Sequence, residues 1–190
     1  MRRVPHRPAH PVHVTLRAGT AIRCLRASRV FPLFRAALAR ASRAGFRVLQ
    51  FSVQNDHVHL IVEADDTSTF VHGMRGLTIR LAKAVNRGLG RHGVVWGDRF
   101  HSRPLTTPRA MRHALVYLLM NRHKHHGAQA AIDPCSSGAW FNGWRDPIGA
   151  IRERAPVVAA RTWLAAVGWR RHGLIAITQR PRGAGSAPPG

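Results

Sequence analysis

Two histidines separated by one residue, His57 and His59, form the pattern with the most direct chemical meaning in this chain. On a β-strand, residues two apart project from the same face, so both imidazoles would lie side by side while Val58 points into the core. Two neighbouring imidazoles can ligate one divalent metal ion. The chain contains 13 histidines, so the pattern also fits two surface histidines on an amphipathic strand.

Tyr117 is the single tyrosine of the chain and lies on a predicted helix. Asn121 follows four residues later on the same helical face. The apolar stripe of this helix is formed by Met111, Leu115 and Leu118, and Tyr117 lies well away from the centre of that stripe. The alternatives are a structural tyrosine whose hydroxyl reaches solvent and an ordinary surface asparagine.

A third segment interleaves aromatic and basic side chains: Trp96, Arg99, Phe100, His101 and Arg103. Rings can stack on unpaired bases while guanidinium groups contact phosphates, so the composition suits single-stranded nucleic acid. Burial of Trp96 or Phe100 in the core is an equally good interpretation of those two residues.

The elements that must position these residues follow the order strand, helix, strand, strand, helix, strand, helix. This order matches a ferredoxin-like antiparallel sheet of the α+β class, with an additional helix at its end. The two central strands are joined by a short polar turn, as in a hairpin. The predicted bounds are 11–16, 31–44 with Gly45 as its cap, 46–53, 57–63, a helix to about 89, 94–96 together with 101–106, and 109–126 with Gly127 as its stop.

Taken in order, three segments resemble a known family. The segment 55–63, which contains His57 and His59, looks like the HUH signature (histidine, hydrophobic residue, histidine) of single-tyrosine transposases. Segments 96–103 and 114–121 look like the downstream blocks of that family. The branch that this chain resembles is the REP-associated tyrosine transposases and their insertion-sequence-200-like relatives. The resemblance runs from about residue 11 to residue 126.

The resemblance implies an HUH endonuclease fold and assigns roles to four residues. His57, His59 and Asn121 would bind Mg²⁺ or Mn²⁺, and Tyr117 on the last helix would be the catalytic nucleophile. A metal ion polarises a phosphate oxygen, and the tyrosine would form a 5′-phosphotyrosine and release a 3′-hydroxyl. The implied partner is single-stranded or hairpin DNA, the implied assembly is a monomer or homodimer, and the implied location is the nucleoid of a bacterial cell.

Three further residues could contribute to this site. Asp56 separates Asn55 from His57, where the family pattern has asparagine next to histidine; its carboxylate could support an imidazole, but a simple turn residue is favoured. Glu63 shares the strand face of the histidines, and a salt bridge to an arginine is favoured over metal ligation. His113 could act as a general base, although a surface histidine is the favoured interpretation.

Charge and composition limit the classes of protein to which this chain could belong. The chain has 190 residues, with 30 lysines and arginines against 8 acids, which gives a net charge of +22. Such an excess favours a polyanionic partner; however, 28 of the 30 basic residues are arginines, which GC-rich codon usage also produces. Cys24 and Cys135 are too few for a disulfide framework or a cysteine-rich zinc site. No apolar run is long enough for a membrane span or a signal peptide, so we expect a cytoplasmic protein.

The chain is expected to fold as one domain with extensions. We predict a basic extended arm over 1–10, the transposase-like domain over 11–127, a C-terminal extension packed on it over 128–179, and a disordered tail over 180–190. Two other functions remain open. One is a non-catalytic or domesticated nucleic-acid-binding protein of the same fold, and the other is a metal-dependent phosphoesterase with no covalent step.

Overall fold

A four-stranded antiparallel sheet with the strand order β2-β3-β1-β4 lies at the centre of the structure. The computed structural model describes residues 6–121, 132–149 and 151–181. The sheet and its helices confirm the predicted α+β, ferredoxin-like arrangement. The elements are β1 (Val12–Arg17), α1 (Phe31–Ala39), β2 (Phe46–Val53), β3 (His57–Ala64), α2 (Thr67–Leu89), β4 (His101–Pro104) and α3 (Pro108–Leu119).

Alternating side chains on β1 and β3 separate the two faces of the sheet. Val14 and Leu16 on β1 and Val58 and Leu60 on β3 belong to a core that they share with the buried sides of α1 and α2. Ile61, on the opposite face of β3, belongs to a second core with α3. The two histidines of β3 alternate in the same way as Ile61, and they therefore lie on the α3 face.

Local sequence signals set the ends of the two helices that flank β4. The carboxylate of Asp66 accepts a hydrogen bond from the backbone N–H of Thr69 at 2.7 Å, which caps the start of α2. Gly90 ends that helix in the left-handed conformation with φ 61°. Thr107 caps the start of α3, and Pro108 occupies its first turn, where a missing N–H costs nothing.

The first helix is shorter than predicted. α1 ends at Ala39, whereas the sequence pattern predicted a helix to residue 44 with Gly45 as its cap. The backbone groups of Arg43 and Phe46 hydrogen-bond to each other in both directions, at 2.8 and 3.1 Å, and this closes a tight turn into β2. Gly45 lies inside that turn with φ 78°. The glycine therefore serves the turn rather than the helix.

The last strand is also shorter than predicted, because residues 94–96 do not join it. Trp96 forms only an isolated bridge with Ala18, just beyond the end of β1. A Cβ atom built on Gly97 would lie 3.2 Å from the Cα atom of Gly19. The segments around Gly19 and Gly97 therefore pass close together, but they do not form the continuous hydrogen bonding of two paired strands.

The final helix ends earlier than predicted. α3 stops at Leu119, because Met120 leaves the helical region with φ −105° and ψ 10°. Asn121 follows with only 3% of its surface exposed. The prediction that the helix continues to about residue 126 is therefore wrong at residues 120 and 121. Residues 122–126 and the predicted stop at Gly127 lie outside the described residues.

The chain after α3 folds back against that helix. Phe141, Trp144, Trp169 and Ile175 form one buried cluster with the apolar side of α3. Regular structure in this segment is limited to a short helix, Trp163–Ala166, and the 3-10 helices Gly138–Trp140 and Gly168–His172. Residues 1–5 of the predicted arm and 182–190 of the predicted tail lie outside the described residues. In the described ranges, no helix combines the length and the apolar character needed to cross a membrane.

The packing of α2 on the sheet depends on a glycine. A Cβ atom added at Gly73 would overlap the ring of Phe46, which is fully buried on β2. We expect Gly73→Ala to lower the free energy of unfolding by about 1–3 kcal/mol, because the overlap forces backbone or ring shifts. Urea unfolding measures this change.

Gly76 in the same helix provides the matched control. No heavy atom lies within 4 Å of a Cβ atom added there. Gly76→Ala should leave the free energy of unfolding unchanged or raise it by up to about 1 kcal/mol, since alanine favours the helix. Equal effects of the two substitutions would contradict the described packing of α2 against β2.

Candidate functional site

The register between β1 and β3 brings polar side chains together on the α3 face of the sheet. Thr15 lies opposite His59, and Arg17 lies opposite His57. The ring centroids of the two histidines are 4.7 Å apart. The predicted side-by-side arrangement of the imidazoles is therefore present.

His59 is held by contacts on one of its two ring nitrogens. Its Nδ1 atom lies 3.1 Å from the hydroxyl of Thr15 and 3.3 Å from Nε2 of His13. Its Nε2 atom is buried and has no hydrogen-bond partner within the part of the chain that the structure describes. A buried nitrogen without a partner is costly, so this atom marks a position where a ligand would be stabilised.

The electrostatic environment keeps His59 neutral. Only 4% of its surface is exposed, and this burial, together with the neighbouring His13 and His57, lowers its pKa to about 3. A neutral imidazole retains the lone pair with which histidine binds a metal ion. His59 is therefore neutral, as metal binding requires, at neutral pH and also well below it.

His57 is held by the carboxylate next to it in the sequence. Its Nδ1 atom lies 2.7 Å from Oδ1 of Asp56, and this hydrogen bond lowers the pKa of the Asp56 carboxyl. Asp56 therefore does more than form the turn, which was the favoured sequence interpretation. A carboxylate on one ring nitrogen orients the imidazole so that the other nitrogen can face a metal ion.

Helix α3 brings Tyr117 to His59 and His13. The ring of the half-buried Tyr117 lies with its centroid 5.0 Å from that of His59 and 6.0 Å from that of His13. Asn121 is buried just beyond the end of the same helix. Residues from two distant segments of the chain thus meet at one place, as the transposase resemblance implied for Tyr117.

His13 and Thr15 belong to this cluster and were not singled out in the sequence. The signal was present, because Val12, Val14 and Leu16 alternate with them and point to the opposite face. Pairing that strand with the histidine strand would have placed both residues beside His59. Burial and the nearby Arg103 lower the pKa of His13 to about 4.

Glu63 is engaged in a salt bridge and in hydrogen bonds to the C-terminal segment. The carboxylate of Glu63 is buried, pairs with Arg47 at 3.1 Å, and accepts a hydrogen bond from the backbone N–H of Thr162 at 2.9 Å. This is the arginine salt bridge that the sequence favoured for Glu63. His113 is exposed on α3, one turn before Tyr117.

The aromatic members of the segment 96–103 serve the fold. Trp96 is half-buried, and its indole N–H donates to the backbone oxygen of Thr78 at 3.0 Å. Phe100 packs edge-to-face on Phe70, with ring centroids 6.0 Å apart. These contacts support the core interpretation of Trp96 and Phe100.

The basic members of that segment are exposed near the histidine cluster. On β4, His101 pairs with Thr15 and Arg103 pairs with His13, so both lie on the same face of the sheet as the cluster. Arg99 is exposed in the loop before β4. This strand is the edge of the sheet, which leaves His101 and Arg103 open to a nucleic acid that approaches the cluster.

His57 and His59 fit a metal site with two imidazole ligands. Such a site would need a third ligand that is not a histidine, cysteine or carboxylate of the described ranges. In the described ranges, no group of three or more histidine, cysteine, aspartate or glutamate side chains could hold a metal ion. His57 and His59, each engaged through Nδ1, leave their Nε2 atoms for an ion. An amide oxygen would add a ligand without adding negative charge, which preserves the Lewis acidity of the ion.

Comparison with known proteins identifies the family. A family model described as IS200-like transposase matches residues 12–111, just over half of the chain. The chain belongs to the IS200-like transposase family. The match in this transposase includes both histidines of β3 and the paired residues of β1, and it ends at Met111, before Tyr117. The family that the motifs indicated is thereby confirmed.

A solved structure shares the fold of this transposase. It is the REP-associated tyrosine transposase bound to a REP hairpin, with a TM-score of 0.61 and 17% sequence identity, and the match covers 85% of this chain and 98% of that chain. At this identity, the similarity shows a common fold. No curated protein matches this transposase significantly.

The lowered pKa values of His13 and His59 predict how stability depends on pH in the absence of metal. The pKa of an unfolded histidine is about 6.5, whereas the pKa values of folded His13 and His59 are about 4 and about 3. Between pH 6.5 and pH 4 the unfolded chain therefore binds more protons than the folded chain. Stability should therefore fall as the pH drops from about 6.5 towards 4, by at most about 1.4 kcal/mol per pH unit for each histidine.

The variant His59→Gln should reduce this slope, because its amide does not titrate in that range. Urea unfolding in EDTA at a series of pH values measures the slope for both proteins. An unchanged slope in the variant would mean that His59 is not buried in its neutral form.

Proposed function

We propose that this transposase is a metal-dependent endonuclease and strand transferase that acts on single-stranded DNA through a covalent bond to Tyr117. The observation that carries the proposal is the position of the Tyr117 ring, 5.0 Å from a buried histidine whose Nε2 atom lacks a partner in the described chain. A phenol beside a metal-binding imidazole suits attack on a phosphodiester.

His57 and His59, with Asn121 as the third ligand, would hold a Mg²⁺ or Mn²⁺ ion. When bound, the ion polarises a non-bridging phosphate oxygen and lowers the barrier to nucleophilic attack. The support for this ligand set is the engagement of both Nδ1 atoms by Asp56 and Thr15 and the burial of Asn121 one turn after Tyr117.

The reaction proposed for Tyr117 exchanges one phosphoester bond for another. Tyr117 loses its phenolic proton to solvent, and its oxygen attacks the phosphorus and forms a bond to it. The bond to the 3′ oxygen breaks, and that oxygen takes up a proton from solvent. The products are a 5′-phosphotyrosine and a free 3′-hydroxyl. Because the phosphoester is retained, a second 3′-hydroxyl can reverse the step and join a new strand without a nucleotide cofactor.

The exposed edge of the sheet supports DNA as the substrate. His101 and Arg103 on β4 lie next to the histidine cluster, and the chain carries a net charge of +22. Arginine contacts to phosphates would position the strand without reading its sequence. The related structure was solved with a REP hairpin, which supports a strand beside a hairpin as the substrate.

The contact between Tyr117 and His59 lies within one chain. This supports attack in cis, in which one copy of the protein supplies both the nucleophile and the metal ligands. A monomer would then be sufficient for cleavage, and a homodimer would carry two independent sites.

The covalent step predicts an adduct that depends on Tyr117. Incubation with end-labelled hairpin DNA and Mn²⁺ should give a labelled protein band that survives SDS, and EDTA should prevent it. Tyr117→Phe removes the only phenol of the chain and should abolish the band while retaining DNA binding in a gel-shift assay. A band of equal intensity in the variant contradicts the assignment.

Two other experimental outcomes would indicate a different function. Cleavage that depends on His57, does not depend on Tyr117 and leaves no adduct would indicate a phosphoesterase. Salt-sensitive DNA binding that yields neither cleavage nor an adduct, and that does not change when metal is removed, would indicate a non-catalytic binding protein.

The hydroxyl of Thr15 should support metal binding by holding the ring of His59. Thr15→Val removes the contact at 3.1 Å and should weaken Mn²⁺ binding by about tenfold or more, because partners that orient a ligand contribute strongly to metal affinity. Titration of free Mn²⁺ by electron paramagnetic resonance measures this affinity. Thr106→Val, at an exposed threonine before α3, is the matched control, and equal affinities would exclude this role for Thr15.

A further inference from the structure

Two arginines flank the histidine cluster along the direction of β1. Arg17 is the last residue of β1 and lies opposite His57 in the register. Arg103 on β4 lies opposite His13, near the other end of β1. Residues that lie directly opposite each other in an antiparallel pair point to the same face. Both arginine side chains therefore lie on the α3 face of the sheet, with the histidines between them.

The charge of each arginine reaches a different part of the cluster. Burial and the nearby Arg103 lower the pKa of His13. Burial lowers the pKa of His59, and neighbouring charges, of which Arg17 is one, lower it further. Both guanidinium groups are therefore close enough to act on a negative charge that is held between them.

The guanidinium of Arg17 is available to a ligand. Arg17 is exposed, and its guanidinium forms no hydrogen bond or ion pair with the residues that the structure describes. The nearby carboxylate of Asp56 is hydrogen-bonded to His57 at 2.7 Å; this bond lowers the pKa of the Asp56 carboxyl, and the charge of Arg17 adds to the effect. Arg103 is also exposed. A guanidinium presents a fork of N–H donors that matches the oxygens of a phosphate.

The spacing of the two arginines leaves each of them at its own end of the cluster. Arg17 lies four residues beyond His13 on β1, which is ~14 Å at ~3.4 Å per residue. His59 lies opposite the middle of this interval. The rings of His59 and Tyr117, with centroids 5.0 Å apart, occupy the space between the two arginines.

The position of Arg17, and not the overall charge, carries the inference. Arginines are frequent in this chain and also occur far from the cluster. Arg75, for example, is exposed on α2, and the buried side of that helix packs in the core on the opposite face of the sheet. A phosphate bound by Arg75 would be separated from Tyr117 by the whole sheet. Arg75 therefore provides a matched control for the loss of one positive charge.

We propose that Arg17 and Arg103 bind two different phosphates of the DNA strand, one on each side of the linkage that Tyr117 attacks. The inference rests on the proposed function, since it takes single-stranded DNA as the ligand and Tyr117 as the nucleophile. A strand anchored at both ends of the cluster crosses the sheet along β1 and holds one phosphodiester over the two imidazoles. Phosphate contacts fix the position of a strand without reading its bases. Arg17 thereby helps to select the linkage that is cut.

A methylphosphonate scan tests the proposal on the full chain. The probe is a fluorescent DNA hairpin with single-stranded flanks, in which a methylphosphonate replaces each flank linkage in turn and removes its negative charge. Binding is measured by anisotropy with Tyr117→Phe protein in EDTA, so that no cleavage occurs. Two separate linkages should each lose affinity by about tenfold, the effect of removing one charged hydrogen-bond partner. Equal affinity at every position would overturn the proposal.

Each arginine variant should remove the effect of one sensitive linkage. In the same background, Arg17→Gln should bind the unmodified probe about tenfold more weakly. It should show no further loss at one sensitive linkage and the full loss at the other. Arg103→Gln should give the reverse pattern, and Arg75→Gln should keep both losses. An Arg17→Gln profile that keeps both losses, or two arginine variants that respond at the same linkage, would overturn the proposal.

The position of the cut separates this inference from the catalytic function. Wild-type protein with Mn²⁺ should join Tyr117 to a phosphate that lies between the two sensitive linkages, as measured by the length of the released fragment. An adduct at a phosphate outside this interval refutes the inference and leaves the catalytic function intact. Two linkages that respond separately to Arg17→Gln and Arg103→Gln, in a protein that forms no adduct, refute the catalytic function and retain the two phosphate contacts.

Discussion

The antiparallel register between β1 and β3 is the constraint on which the site depends. It sets Thr15 opposite His59 and Arg17 opposite His57, and it places His13 within 3.3 Å of the His59 ring. A shift of one residue would turn these side chains towards the α1 and α2 core and bring valines and leucines to the other face. The hydrophobic core therefore fixes the register, and the register builds the histidine cluster.

Helix α3 is the second requirement, and the C-terminal segment holds it in place. Trp169 and Phe141 pack on its apolar side, while the buried carboxylate of Glu63 accepts hydrogen bonds from the backbone N–H groups of Arg161 and Thr162, both at 2.9 Å. Glu63 lies on β3, so the strand that carries the two histidines of the proposed metal site also anchors the segment that supports the helix.

Much of this arrangement follows from local sequence patterns. The period-two alternation of β3 predicted that both histidines share a face, and Thr107 with Pro108 predicted the start of α3. The partners of His59 were not predictable from local patterns, because His13 and Thr15 reach it only through pairing of distant strands. The early end of α1 has a similar origin, since the tight turn between Arg43 and Phe46 overrides the helical periodicity of that segment.

The central claim is that His57, His59 and Asn121 form one metal site beside Tyr117. Anomalous diffraction from crystals soaked in Mn²⁺ tests it most directly, because the signal locates the ion independently of the protein atoms. The account predicts one strong peak within coordination distance of Nε2 of both histidines and of the Asn121 amide oxygen, next to the Tyr117 hydroxyl. A manganese peak elsewhere, with none between the two imidazoles, would contradict it.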